Sequence, residues 1–508
     1  MSSPFDSLPF AGDMPAQEFR AAAHKLVDWV ADYLEHTDRY PVLAQTTPGA
    51  IRRQLPEQAP ASAEPLDAIL ADFDRKIMPG VTHWNHPGFF AYFAITGSGP
   101  GILGEWLSGA LNVNAMLWKT CPAASELEEV VMGWLRRMLG LPDSFLGVVI
   151  DTASVSTLCA LAAAREALGD LNVRERGLAG RPEVPRLRCY VSDQAHSASD
   201  KAAIVLGLGL DGVRKIPSDS EFRLRPDALA AAIEEDQRAG WRPFAVVATV
   251  GTTSTTSVDP VPAIADICAR HKLWLHVDAA YAGPAAILPE RRWAFEGCER
   301  ADSLVLNPHK WLFTPFDFSA FYCRHPRVLR AAFSLVPEFL RTAEDAEVRN
   351  YMDYGIQLGR RFRALKLWFV LRYFGQRGIE ERLRQHIAWA ATLAGEVDAH
   401  PDFERMAPAP FSVVCFRARP AGLARRLKGS ESAGAEEYLG RLNEGLLEAV
   451  NATGEAYLSH TKLNGRYTLR FAIGNLRTTP RHVGRAWELL QQHAARLDAE
   501  RRPAAWRD

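Results

Sequence analysis

Charge imbalance is the first thing this sequence lacks. Across 508 residues, 59 basic side chains meet 60 acidic ones, for a formal net charge of -1. A chain so balanced has no general electrostatic attraction for nucleic acid or an anionic membrane surface, and neither partner is expected. Long apolar runs are missing too. No stretch of about 18 apolar residues occurs, so no membrane span is expected. The first residues show no basic segment followed by an apolar one, so no secretory signal is expected. Paired cysteines are also absent. The seven cysteines stand at Cys121, Cys159, Cys189, Cys268, Cys298, Cys323 and Cys415, with no CxxC and no zinc-ligand spacing to histidine. They read as small buried groups in a reducing, cytoplasmic protein. His83 and His86 invite a metal, but no third ligand has suitable spacing, so no metal is expected. There is no internal repeat.

What is present is ordinary globular material. Hydrophobic residues make up 47% and charged residues 23%, and the length calls for two or three domains. Residues 16–36 place Phe19, Ala22, Leu26, Val27, Val30 and Leu34 at helical spacing, an amphipathic helix in need of a partner surface. A Pro-rich connection follows at 55–65. The first hundred residues hold too few strands to stand alone and are expected to pack on a second copy of the chain.

From about residue 100, helical stretches alternate with short apolar runs at 145–150, 187–191, 244–250, 274–277 and 303–306. Near-continuous apolar strands separated by helices mark a parallel sheet covered on both faces. In such sheets ligands gather at the carboxyl ends of the strands. Ser154, His196, Thr249, Asp278, Asn307 and Lys310 all fall there. After about residue 375 the pattern changes to helices with strands at 411–416 and 467–471 and a last helix at 480–500, a smaller α+β unit.

Two stretches carry chemistry. In 303–319, S-L-V-L-N-P-H-K-W-L-F-T-P-F-D-F-S, Lys310 is hemmed by apolar and aromatic residues. Burial would depress its pKa and leave a neutral amine able to attack an aldehyde; a lysine snorkelling from a strand end is the alternative. In 82–100, Trp84, Phe89, Phe90, Tyr92 and Phe93 crowd a glycine-punctuated loop, which could line a pocket for a flat substrate or plug a loop. The small hydroxyl residues after 150 open a helix whose free N–H groups suit a phosphate, or simply cap it. A neutral lysine, a phosphate cradle, a buried aspartate and a histidine together suggest pyridoxal phosphate (PLP).

With those residues in view, the sequence resembles the PLP-dependent group II amino-acid decarboxylases, nearest the aromatic-L-amino-acid branch. The motifs that carry the resemblance are N-P-H-K-W (307–311), H-V-D-A-A-Y-A-G (276–283), D-Q-A-H-S (193–197), A-T-V-G-T-T (248–253), H-P-G-F-F-A-Y-F (86–93) and L-G-R-R-F-R-A-L-K-L-W (358–368). They cover most of residues 15–400 in the family's order. The resemblance implies an α/β fold of PLP-dependent transferase type I: a large domain with a mostly parallel seven-stranded sheet at 99–375, a small C-terminal α+β domain at 376–508, and an N-terminal helical segment at 1–98 that wraps a partner in a homodimer with a shared active site. It implies the cofactor link at Lys310, a pyridinium partner at Asp278 and a ring-stacking role for His196. Ala153, Ser154 and Asn307 would contact the phosphate and Thr249 the ring, with Thr152, Ala280 and His309 also in the cofactor set. Trp84, Tyr92, Phe93, Ile95 and His196 would face an amino-acid substrate, and the reaction would be decarboxylation of an aromatic L-amino acid to its amine.

Two departures from the family pattern stand out. Ala94-Ile95 occupy the place of Pro-Thr after the aromatic loop. In the 335–354 loop, Phe339 follows Pro337-Glu338 where family decarboxylases carry a tyrosine that donates a proton to Cα. A phenyl ring has no proton to give, and losing a positioned general acid costs about 10²–10⁴ in rate. Relatives with phenylalanine here are aromatic aldehyde synthases, so that activity is the alternative expectation, with Tyr351 and His196 as other possible donors.

Overall fold

The structure, a computed structural model, describes residues 12–335, 344, 347–423 and 432–506. Seven strands build the sheet that positions the site: β1 (Leu146–Ile150), β2 (Leu187–Ser192), β3 (Val213–Ile216), β4 (Arg242–Thr249), β5 (Trp274–Asp278), β6 (Ser303–Leu306) and β7 (Ser319–Cys323). Their order is β1-β7-β6-β5-β4-β2-β3. β7 runs antiparallel to both neighbours, and every other pairing is parallel.

Five of these strands are the five apolar runs read from the sequence. Both faces of the sheet are covered, which is why those runs do not alternate. Along β4, Val246 and Ala248 enter one core while Ala245 and Val247 enter the other. Along β6, Leu304 and Leu306 face the first core and Val305 the second. The two strands not expected individually are special cases. β3 is a short edge strand, V-R-K-I, with two charges in four residues. β7 returns antiparallel to β6 and needs no crossover helix to announce it.

A second, antiparallel sheet comprises β8 (Phe403–Arg405), β9 (Val413–Ala418), β10 (Ser459–Leu463) and β11 (Arg466–Ala472), in the order β10-β11-β9-β8. It has its own core with the helix Pro480–Arg501, through Val414, Phe416, Phe471, Trp487 and Leu490. The helix Ala364–Ala399 links the two sheets and is broken at Gly375, whose φ of 64° and ψ of 169° lie outside the helical region. Glycine adopts that conformation without a Cβ penalty. The 16–36 reading corresponds to the helix Ala16–Glu35. Phe19, Leu26 and Val27 remain exposed on it. Among the described residues no helix is long and apolar enough to cross a membrane. The seven cysteines are free thiols, and six of them are buried.

Candidate active site

The site forms where β4, β5 and β6 end. β6 stops at Leu306, and Asn307 opens a single helical turn, Pro308–Trp311, that carries Lys310. The Asn307 amide N–H donates to the Ala280 carbonyl (3.0 Å), and the Lys310 N–H donates to the Asn307 carbonyl (2.9 Å). The turn is therefore pinned to the segment that follows β5. That segment holds Asp278, whose Oδ1 accepts the Ala280 N–H at 3.0 Å. Ala280 thus fixes both the carboxylate and the lysine turn through its main chain. The Gly251 turn after β4 must be glycine: φ is 89°, and a Cβ there would come within 2.5 Å of the Ala282 Cβ.

Burial holds the Lys310 pKa below its ordinary value; Asp278 opposes that shift and Arg470 adds to it. The net direction favours the neutral, nucleophilic amine expected from the sequence. The Lys310 Nζ lies 5.2 Å from the centroid of the Phe93 ring, and the Arg470 guanidinium lies 5.2 Å from the same centroid. Phe93 stacks on Tyr281 (centroids 3.7 Å apart), which stacks on Trp311 (5.0 Å). The aromatic loop thus divides. Phe93 turns to the lysine, whereas Trp84 stacks with Phe89 and Tyr92, and the Tyr92 hydroxyl meets that of Tyr457 at 3.2 Å. Ile95, two residues after Phe93, is half-buried.

His196 is exposed at the start of the helix Ala198–Val205. Its Nδ1 accepts the Ala198 N–H (3.1 Å), which leaves the proton on Nε2 in the neutral ring. Desolvation, then the charge of Lys310, depresses its pKa, while Asp278 opposes them. His309 is buried with Nδ1 accepting the Phe318 N–H (2.9 Å), and burial pushes its pKa down to about 3. His83 and His86 are also engaged: His83 Nδ1 with the Tyr33 hydroxyl, and His86 Nδ1 with the Gly88 N–H. Phe339 lies outside the described residues. Tyr351, the other proton donor considered, is buried with the Arg360 guanidinium over its ring.

The residues fit pyridoxal phosphate. Thr249 Oγ1 and Asn307 Oδ1 are buried with no hydrogen-bond partner among the described residues. An orphaned buried polar group marks a missing partner. The hydroxyl can donate, and the amide can turn its N–H outward. Beyond β1, Thr152 precedes the helix Ala153–Glu166 without capping it by its side chain. The first-turn amides at Ala153 and Ser154 lie outside the helical ladder, as at any helix start. Asp278, held by the Ala280 N–H, could offer its carboxylate to a ring N–H.

Two residues of this centre were missed from sequence. Arg470 reaches across from β11, donating to the carbonyls of Ser254 (2.8 Å) and Thr253 (2.7 Å) and to Ser459 Oγ (3.0 Å). It is buried and has no carboxylate partner among the described residues. Its signal was a lone charge inside the apolar run Y-T-L-R-F, since unpaired buried arginine is rare. Asp259 accepts the Thr249 N–H (2.8 Å) and the Leu224 N–H (2.7 Å), and burial pushes its carboxyl up to about 7.

Comparison with known proteins gives the family. Residues 48–419 match the pyridoxal-dependent decarboxylase conserved domain. The chain belongs to the pyridoxal-dependent decarboxylases. It is a PLP-dependent carboxy-lyase with the type I fold, in the group II family that the motifs indicated. The decarboxylase is 44% identical to tyrosine decarboxylase 4 of Petroselinum crispum over 95% of this chain and 94% of that one. It is 40% identical to phenylacetaldehyde synthase of a Rosa hybrid cultivar, over 94% of each chain. Among solved structures, that of Oryza sativa TDC with PLP and tryptamine superposes with a TM-score of 0.90 at 37% identity, covering 96% of this chain and all of the other.

Proposed function

We propose that this decarboxylase acts on an aromatic L-amino acid and releases the corresponding amine and CO2. The observation that carries the reading is the Phe93 ring held beside both Lys310 and Arg470, which places an aromatic wall, an amine and a guanidinium around one space. The similarity to a tyrosine decarboxylase and to a structure holding tryptamine supports the substrate class.

When bound, pyridoxal phosphate supplies an aldehyde carbon and a ring that accepts the electron pair left on Cα as CO2 departs. This chain's residues do the rest. Lys310, whose pKa burial lowers, would hold the cofactor's aldehyde carbon and serve as the amine that the substrate displaces. Asp278 would pair with the ring nitrogen and keep its proton in place. Asn307 and the amides at Ala153 and Ser154, beside Thr152, hold the phosphate. Thr249, its main chain anchored by Asp259, would lie near the ring. Ala280 positions Asp278, and His309 braces the lysine turn through Phe318. His196, close enough to Asp278 and Lys310 to feel their charges, would stack on the ring or offer its Nε2 proton to the substrate. Arg470 orients the substrate carboxylate. Trp84, Tyr92 and Ile95 form the outer wall beyond Phe93.

Domain and assembly assignments belong to the same proposal. The division near 98 and 375 is supported by two sheets with separate cores and by the helix break at Gly375. A homodimer with a shared site is supported by the helix Gly99–Leu111, which leaves Leu103, Trp106, Leu107 and Leu111 exposed along one stripe. A cytoplasmic location rests on the free thiols.

Phe339 favours a second outcome at the same centre. Without a hydroxyl proton there, the carbanionic electron pair can pass to O2, and substrate, O2 and water give aldehyde, CO2, ammonia and H2O2. The test is aerobic turnover of tyrosine, tryptophan, phenylalanine and dihydroxyphenylalanine by PLP-loaded protein, measuring amine, aldehyde and peroxide. Amine without peroxide supports the decarboxylase reading. Aldehyde with equimolar peroxide replaces it with the synthase, and absence of CO2 from all four defeats both.

A further inference from the structure

At the amino end of β1, away from the strand ends that carry Lys310, lies a cavity of about 540 Å³. That size suits a small-molecule ligand. Its lining is unusual in charge: five arginines, Arg136, Arg137, Arg327, Arg330 and Arg349, against two carboxylates, Glu129 and Asp143.

Part of that positive charge is balanced. Arg136 pairs with Asp143, Arg349 with Glu129, and Arg330 with Asp353 (3.0 Å). Arg137 and Arg327 have no carboxylate partner among the described residues. Two further donors are left over. Tyr351 lines the cavity at 1% exposure, and its hydroxyl has no hydrogen-bond partner among the described residues. The Arg136 Nε–H is likewise buried and unpartnered. A buried hydroxyl and a buried guanidinium N–H without acceptors are costly unless a ligand supplies them. The cavity therefore has a surplus of donors and positive charge and a shortage of acceptors.

We propose that this cavity binds a phosphorylated small molecule, its phosphate taken by Arg137, Arg327, Arg136 Nε and the Tyr351 hydroxyl. A phosphate is acceptor-only at its oxygens, carries more than one charge, and matches the planar fork of guanidinium groups. The site is separate from the cofactor's phosphate cradle, which lies past the other end of β1 at Thr152–Ser154. It also joins two parts of the chain. Arg327 and Arg330 belong to the helix Pro326–Phe333, before Phe339, and Arg349 and Tyr351 follow it in sequence. A bound phosphate would tie these two parts together.

The experiment is calorimetric titration of PLP-loaded protein, so that the cofactor cradle is filled, with inorganic pyrophosphate and with inorganic phosphate at constant ionic strength. One pyrophosphate per chain is expected, with a dissociation constant below about 1 mM, and the Arg137→Ala and Arg327→Ala variants should each weaken it on the order of tenfold. Tyr351→Phe should weaken it less, since one hydroxyl is lost and the ring remains. Tighter binding of pyrophosphate than of phosphate identifies a ligand with more than one phosphoryl group; equal affinity identifies a monophosphate. Both arginine variants should retain the cofactor's visible absorbance and wild-type turnover without added anion, which shows that they fold. Absence of binding to the wild-type protein, or undiminished binding to the folded double variant, would overturn the proposal.

Discussion

Replacing Arg470 by methionine should make Lys310 harder to deprotonate. The two cationic groups each lie 5.2 Å from the Phe93 ring centroid, so they are no more than about 10 Å apart. At an effective dielectric constant of about 20, two unit charges at 10 Å repel by about 1.6 kcal/mol. Removing the guanidinium should thus raise the Lys310 pKa, against the depression that burial alone maintains. The sign follows from the protonated amine: it is the form that Arg470 repels, so the variant protects the charged, non-nucleophilic state. The assay is the rate of PLP capture by cofactor-free protein, followed by visible absorbance across pH 6–10. The rate should rise with pH in both proteins, with the variant's midpoint displaced to higher pH. Arg470→Lys keeps the charge and should restore the wild-type midpoint even if it loses the hydrogen bonds to Thr253 and Ser254. An unshifted midpoint in the methionine variant, or the same upward shift in the lysine variant, would refute the electrostatic reasoning and leave Arg470 as a brace for the 253–254 loop.

Other outcomes follow from the same structure. His86 and His276 are held at about 4 and His309 and His386 at about 3, all by burial first, against an ordinary 6.5. Unfolding lets these four take up protons, so stability falls as pH drops from 6.5 toward 4; Asp259, raised to about 7 from 3.8, works the other way because the folded state keeps its proton. The net uptake of roughly three protons predicts a slope of about 4 kcal/mol per pH unit near pH 5, and urea midpoints that stay level between pH 6.5 and 5 would contradict it. Phe339→Tyr should shift products from aldehyde and peroxide toward amine if the wild-type protein makes aldehyde, read by product analysis in air. Trp106→Asp, on the exposed stripe of Gly99–Leu111, should convert a dimer to monomers in sedimentation velocity and lower turnover with it; an unchanged dimer would show that this face is not the one covered. Asn307→Ala should weaken PLP retention by about 1–3 kcal/mol, measured as the dissociation constant of the cofactor, while β6 and its neighbours keep their fold.

Much of the large sheet was legible because its physics is local. Strands buried on both faces must be apolar throughout, so β1, β2, β4, β5 and β6 stand out from the helices between them. Their ends were legible for the same reason: Asp278, Asn307 and Lys310 interrupt or follow apolar runs at the carboxyl ends of the strands, where ligands gather. What was not legible depends on contacts distant in sequence. Arg470 sits on the second sheet and meets the Phe93 loop nearly 380 positions away, so only its oddness within Y-T-L-R-F hinted at it. Asp259 looks like a turn residue until Leu224 and Thr249 are seen donating to it. The aromatic loop read as a pocket lining or a loop plug, and it divides: Phe93 turns to Lys310 because Tyr281 and Trp311 continue its stack, while Trp84 stacks on Tyr92 and Tyr457 meets it edge-on. β3 was lost to its charges, which an edge strand tolerates on its open side.

The antiparallel turn from β6 to β7 has a mechanical consequence. Leu306 pairs with Ala320, so the twelve residues from Asn307 to Phe318 leave the sheet and re-enter it on the adjacent strand. Both feet of that excursion are clamped at one strand spacing, about 5 Å. A crossover to a distant strand could swing as a hinge; this arch cannot widen without breaking the ladder. The amine at its crest therefore moves by rotation about its own side-chain bonds, on a main chain that stays fixed. Handing a carbonyl group from the protein to an incoming amine then requires no backbone rearrangement, and amide protection along the arch should be the same before and after each turnover.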